Sequence, residues 1–206
     1  MEALLSLDWH PIVGIFAGIL AATSIVPYVR DMLHGTTRPN KVTTLLWWLL
    51  IVIQASAQIS AGASWSLIFT LVLAVNVSIT TFLAFAGYGY TKHGPFDYVC
   101  FVLASISIIA WQHTSNPSTA IILAVLTSML AAVPAIVKTY RYPDTEHVPA
   151  WALITASAFL AALSTTKYDV ANLAIPLYQL VENAIILSLA WRGVWLLRLS
   201  KVTKSV

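Results

Sequence analysis

The chain has 206 residues, of which 59% are hydrophobic and 9% charged, with a net charge of +3 and a mean hydropathy of +0.81. Soluble domains carry about 25% charged residues, so this chain lacks the charge to solvate a globular surface and reads as an all-α integral membrane protein. The basic excess does not point to nucleic acid, because the Lys and Arg residues sit in loops beside apolar runs, where they act as a topology signal.

The opening "MEALLSLDWHP" has no basic n-region, so the first span is not expected to be a cleaved signal peptide. Apolar runs then fall at 11–30, 43–62, 66–87, 96–113, 118–138, 149–165 and 171–191. Each approaches the roughly 20 residues that cross a hydrocarbon core. They are continuously apolar and do not alternate, which predicts helices and not a β-barrel. The sixth, "PAWALITASAFLAALST", is short and rich in small residues.

Charge tests this count. Arg30, Arg38 and Lys41 lie in the first connection, Lys92 in the third, and Lys138 and Arg141 in the fifth. Arg192, Arg198, Lys201 and Lys204 follow the last span, and Lys167 alone falls on the other side. With seven spans, ten of the 11 basic residues share one face, which the positive-inside rule makes cytoplasmic. The expected topology, in a cell (inner) membrane, has the N-terminus outside and the C-terminus in the cytoplasm. The single cysteine, Cys100, cannot form an intramolecular disulfide.

Two stretches repeat. "IVPYVRDMLHGTTRPNKV" at 25–42 and "VPAIVKTYRYPDTEHV" at 133–148 each take an apolar run through a proline into charge. An offset of 107 aligns Pro27 with Pro134, Ala17 with Ala124, Leu73 with Leu180, Asn76 with Asn183 and Ile79 with Ile186. A one-residue gap matches Val42 to Val148. The expected organisation is a three-helix repeat at 11–87, a linker transmembrane helix at 96–113, a second three-helix repeat at 118–191 and a basic cytoplasmic tail at 192–206. An odd linker makes the two repeats parallel.

Topology, repeat order, the "VPY" and "VPA" prolines and the paired asparagines together resemble the PQ-loop and SWEET superfamily of 3+1+3 transporters, in its bacterial branch, over residues 11–191. The PQ dipeptide itself is absent: Tyr28 follows Pro27 and Ala135 follows Pro134. The resemblance implies that Pro27 and Pro134 are hinges of an inner gate that do not touch substrate. It also implies that asparagines in the third helix of each repeat, here Asn76 and Asn183, hold the substrate.

The residues themselves support a polar centre. Asn76 and Asn183 are the two of five asparagines placed deep in a span, and the repeat axis would bring their amides toward one cavity; the plainer role is interhelical hydrogen bonding. Glu182 is the only carboxylate well inside a span, with Tyr178 and Gln179 at helical spacing behind it. It is a candidate for proton coupling or substrate hydrogen bonding, or a protonated structural acid. Trp47, Ile51, Gln54 and Gln58 share one helix face, so Gln54 and Gln58, with Gln179, are candidate substrate contacts or helix–helix contacts. The five histidines lie at or beyond span ends with no metal-ligand spacing, and no metal or other cofactor is expected. No nucleophile–base or carboxylate pair lies at depth, so an enzyme is disfavoured. The expected function is alternating-access transport of a small polar neutral or zwitterionic solute, such as a sugar, amino acid or vitamin-like compound. The alternative is a non-transporting receptor or adaptor of the same fold.

Overall fold

A computed structural model describes residues 8–90, 94–113 and 117–203. Lys92, His93 and Lys204 lie outside the described residues, as do the side chains of Cys100, Arg198 and Lys201. Seven α-helices follow in order: α1 His10–Leu33, α2 Lys41–Ser60, α3 Leu67–Leu83, α4 Pro95–Gln112, α5 Pro117–Arg141, α6 Val148–Leu163 and α7 Val170–Thr203. A π-turn, Ala84–Tyr88, extends α3, and a short 3-10 turn, Pro143–Thr145, precedes α6. No β-strand occurs among the described residues.

Local chemistry fixes the helix ends that later frame the site. α2 starts where the Asn40 side chain accepts the Val42 and Thr43 N–H groups at 2.9 and 3.2 Å, satisfying donors that a helix N-terminus leaves unpaired. α6 starts where His147 Nδ1 accepts the Ala150 N–H at 3.0 Å, with Pro149 in the first turn. The extension of α3 breaks at Gly87, within Ala84–Tyr88, whose φ of 114° only glycine adopts readily. Pro27 lies inside α1 and Pro134 inside α5, each removing one helical N–H.

The distribution of side chains is inverted relative to a water-soluble protein. Val26, Val75 and Phe82 are 67%, 59% and 74% exposed, while Gln54, Gln58 and Asn172 are at most 1% exposed. Among the described residues, five helical stretches are long and apolar enough to cross a membrane: His10–Leu33, Lys41–Ser60, Leu67–Tyr88, Ile121–Arg141 and Val170–Trp195. α6 is apolar but shorter, at 16 residues. An apolar exterior over a polar interior is the distribution that an all-helical chain in a membrane requires, and these helices are compatible with it.

Helix α3 packs between α1 and α2, and α7 packs between α5 and α6. α1 in turn packs on α6, and α2 on α5, so six helices close a ring in the order α1, α3, α2, α5, α7, α6; α4 rests on α5 and lightly on α2. Small residues set the closest approaches, as is usual where lipid gives no hydrophobic drive between helices. Ala17 and Ala21 of α1 meet Ala158 and Ala161 of α6, and the Ser157 hydroxyl donates to the Ala17 carbonyl at 2.5 Å. On the α3 side, a Cβ at Gly18 would come within 2.7 Å of Ile68 Cγ2. Gly18→Ala is therefore expected to destabilise the fold by about 1–3 kcal/mol through overpacking. A lower unfolding midpoint in a detergent titration would register it; an unchanged midpoint would mean that α1 and α3 separate freely.

Candidate functional site

The ring surrounds a half-open cavity of about 120 Å³. Its walls come from all six ring helices and both connections at one end: Ser24 and Tyr28 of α1, Asn40 and Thr43 at the start of α2, and Asn76 and Thr80 of α3. Ser128 and Ala135 of α5, Glu146 before α6, Trp151 of α6, and Gln179 and Asn183 of α7 complete them.

Four of the sequence candidates line this space: Asn76, Asn183, Gln54 and Gln179. Their hydrogen bonding differs. Asn76 Nδ2 donates to the Ala21 carbonyl at 2.7 Å, and Gln54 Nε2 donates to Ser128 Oγ at 3.0 Å. Asn183 Nδ2 is buried with no partner. Gln58 is not among the lining residues; it is fully buried one turn further along α2, where its Nε2 donates to Ser66 Oγ at 3.1 Å. Glu182 is also outside the lining, 4% exposed, with Oε1 unpartnered and Tyr178 beside it. Pro27 and Pro134 do not line the cavity, but the residues that follow them, Tyr28 and Ala135, do.

Charge gathers at one end of the cavity. Lys138 Nζ and Glu146 Oε1 form an ion pair at 2.6 Å, each side chain 4% exposed. The other Glu146 oxygen accepts the Trp151 indole N–H at 2.9 Å, and the Trp151 ring meets Tyr28 edge-on at 6.4 Å. The two connections at this end also touch each other: His147 Nε2 lies 3.4 Å from Asp31 Oδ2, and the Arg38 N–H donates to the Thr145 carbonyl at 3.4 Å. His34, by contrast, is exposed and bonds the Arg30 carbonyl of its own helix.

The opposite end is closed by a polar seam. The Ser64 N–H donates to Asn172 Oδ1 at 3.0 Å, the Thr166 N–H donates to Ser64 Oγ at 2.9 Å, and Ser66 Oγ donates to the Asn172 carbonyl at 3.4 Å. Lys167 Nζ donates to the Gly62 carbonyl at 2.7 Å. Asp169 holds Asn172 in place, accepting its backbone and side-chain N–H groups at 2.9 and 3.0 Å. This seam joins the α2–α3 connection to the α6–α7 connection.

Sequence reasoning passed over Tyr28, Asn40, Thr43, Lys138, Glu146 and Trp151. A signal was available for the last three: Lys138 and Glu146 bracket a short connection, and "TEHVPAW" places an acid and an indole at either side of a proline-started helix. Among the described residues no cluster of His, Cys, Asp and Glu is arranged to hold a metal ion. No protein-family model, curated protein or solved structure matches the chain.

Proposed function

We propose that this protein is a membrane transporter of a small uncharged or zwitterionic solute, built as two parallel three-helix repeats joined by α4 and working by alternating access. The observation that carries this reading is a cavity inside a six-helix ring, sealed by a hydrogen-bonded seam at one end and bounded by the α1–α2 and α5–α6 connections at the other. Exchanging α1 with α5, α2 with α6 and α3 with α7 maps the ring's helix pairings onto themselves. Four pairs within the lining fit the same exchange: an offset of 107 relates Tyr28 to Ala135 and Asn76 to Asn183, and one of 106 relates Asn40 to Glu146 and Thr44 to Ala150. Such internal symmetry around a central site is the architecture of repeat-built transporters, and it agrees with the resemblance to PQ-loop and SWEET proteins.

In this reading the basic connections and tail lie in the cytoplasm, and the Ser64–Asn172 seam closes the outer end. Pro27 and Pro134 each remove a hydrogen bond from a helix whose next residue lines the cavity, which suits hinges. Glu182, buried beside Tyr178 with an unpaired carboxylate oxygen, is the position we assign to a coupled proton. The test is counterflow of labelled solute in proteoliposomes, with solutes chosen by a binding screen. Wild-type protein is expected to carry a bound solute, and Glu182→Gln to retain counterflow while losing accumulation driven by a pH gradient. A solute that binds in the cavity but never crosses would favour the receptor reading. Accumulation undiminished in Glu182→Gln would remove the proton role.

A further inference from the structure

Glu182 lies outside the cavity lining, so a proton that reaches it from the cavity must pass through another group. Tyr178 precedes it by one turn of α7, and the two share a helix face. The Tyr178 hydroxyl also faces the Trp47 indole N–H of α2 and the Ser128 hydroxyl of α5. Tyr178 Oη, Trp47 Nε1 and Glu182 Oε1 are all buried without a hydrogen-bond partner. Buried polar atoms are rarely left so, and a role in proton transfer is one reason for the exception. The hydrogen bonds of a transfer path are often long at rest and tighten when the proton moves.

The chemistry of the neighbours gives them an order. The Trp47 indole donates and cannot accept, so it passes no proton on; facing Tyr178 Oη, it leaves the phenol hydrogen to turn toward Glu182. Serine and tyrosine hydroxyls donate and accept at one oxygen, so each can receive a proton while releasing its own. Ser128 lines the cavity, and its Oγ accepts the Gln54 amide at 3.0 Å, which leaves its hydrogen for a further acceptor. The half-open cavity of about 120 Å³ has room for water. Among the described residues, Tyr178 is the titratable group that faces Glu182.

Resting on the assignment of a coupled proton to Glu182, we infer that Ser128 and Tyr178 relay that proton between water in the cavity and the Glu182 carboxylate. On uptake, a hydronium ion gives a proton to Ser128 Oγ, the Ser128 hydrogen passes to Tyr178 Oη, and the Tyr178 hydrogen passes to Glu182 Oε1. Each O–H bond that breaks is matched by one that forms. Both hydroxyls end neutral, and the charge of the hydronium cancels that of the carboxylate. Release follows the same path in reverse.

The test is time-resolved infrared spectroscopy of the full chain in nanodiscs after transfer to D2O, at a pH where Glu182 is protonated. The Glu182 carboxyl band is identified as the one missing from Glu182→Gln, and its shift reports replacement of the proton by deuterium. Tyr178→Phe keeps the ring and deletes the hydroxyl, and is expected to slow this exchange at least about tenfold. Ser128→Ala is expected to slow it likewise, and Ser128→Thr, which keeps a hydroxyl, to restore it. A loosened fold would admit water and speed exchange, so damage by either substitution cannot imitate the expected result. Exchange at the wild-type rate or faster in either folded variant overturns the relay. A Glu182 band that is absent at every pH at which the protein stays folded overturns both the relay and the coupled proton. Slowed exchange in both variants, with no accumulation driven by a pH gradient in the wild type, supports the relay and removes the proton from transport.

Discussion

Lys138→Met is expected to lower the stability of the bundle by about 3–5 kcal/mol, because it strips the counterion from a buried carboxylate. Lys138 and Glu146 are each 4% exposed and 2.6 Å apart, so neither charge has water to fall back on. Glu146 also accepts the Trp151 N–H, and Trp151 packs edge-on against Tyr28 of α1, so an unpaired Glu146 would disturb a contact between α1 and α6 as well as its own connection. The double variant Lys138→Met with Glu146→Gln removes both charges and keeps an oxygen for the Trp151 indole. It is expected to recover more than half of the loss, since replacing both partners of a buried pair is far milder than removing one. Unfolding followed by circular dichroism in a mixed-micelle titration reads both numbers. A single variant as stable as the wild type, or a double variant worse than the single, would show that the pair is solvated and contributes little.

How much of this was legible in the sequence depends on the range of the interaction. Helix positions follow from apolar runs, so the expected 43–62 and the observed Lys41–Ser60 differ only at their ends. The last helix runs to Thr203, well past the expected 191, and continues through Gly193. Arg192 is accommodated on the way: its guanidinium donates to the Tyr140 carbonyl at 2.6 Å and lies over the Tyr140 ring at 4.3 Å. The depth of Asn76 and Asn183 in their spans is a local property and could be read directly. Helical periodicity put Gln54 and Gln58 on one face, but periodicity says nothing about depth, and one turn is enough to move Gln58 from the cavity into the bond with Ser66. Lys138, Glu146, Trp151 and Tyr28 acquire their roles only when the α5–α6 connection folds back beside α1. No spacing rule within a single helix encodes that meeting.

The polar seam opposite the cavity carries the second large effect. Asn172→Ala is expected to open that end. The Asn172 side chain is fully buried and accepts the Ser64 N–H at 3.0 Å, and its loss leaves that donor buried and unpaired. An orphaned buried donor costs about 1–3 kcal/mol, which corresponds to about a 5- to 150-fold rise in the population of the state in which Ser64 reaches water. Asn172→Asp is the informative control, because its oxygen still accepts from Ser64 while it loses the amide that donates to Asp169 and gains a charge beside that carboxylate. It too should loosen the seam, by repulsion and not by a missing acceptor. The readout is labelling of a cysteine introduced at Thr165, which is fully buried beside the seam, in a Cys100→Ala background, by a membrane-impermeant maleimide. Equal labelling rates in the parent and in Asn172→Ala would mean that the seam does not close the bundle. Faster labelling accompanied by protection of a cysteine at Asn40 would mean that the two ends open in alternation, since the α1–α2 connection at Asn40 borders the cavity from the other side.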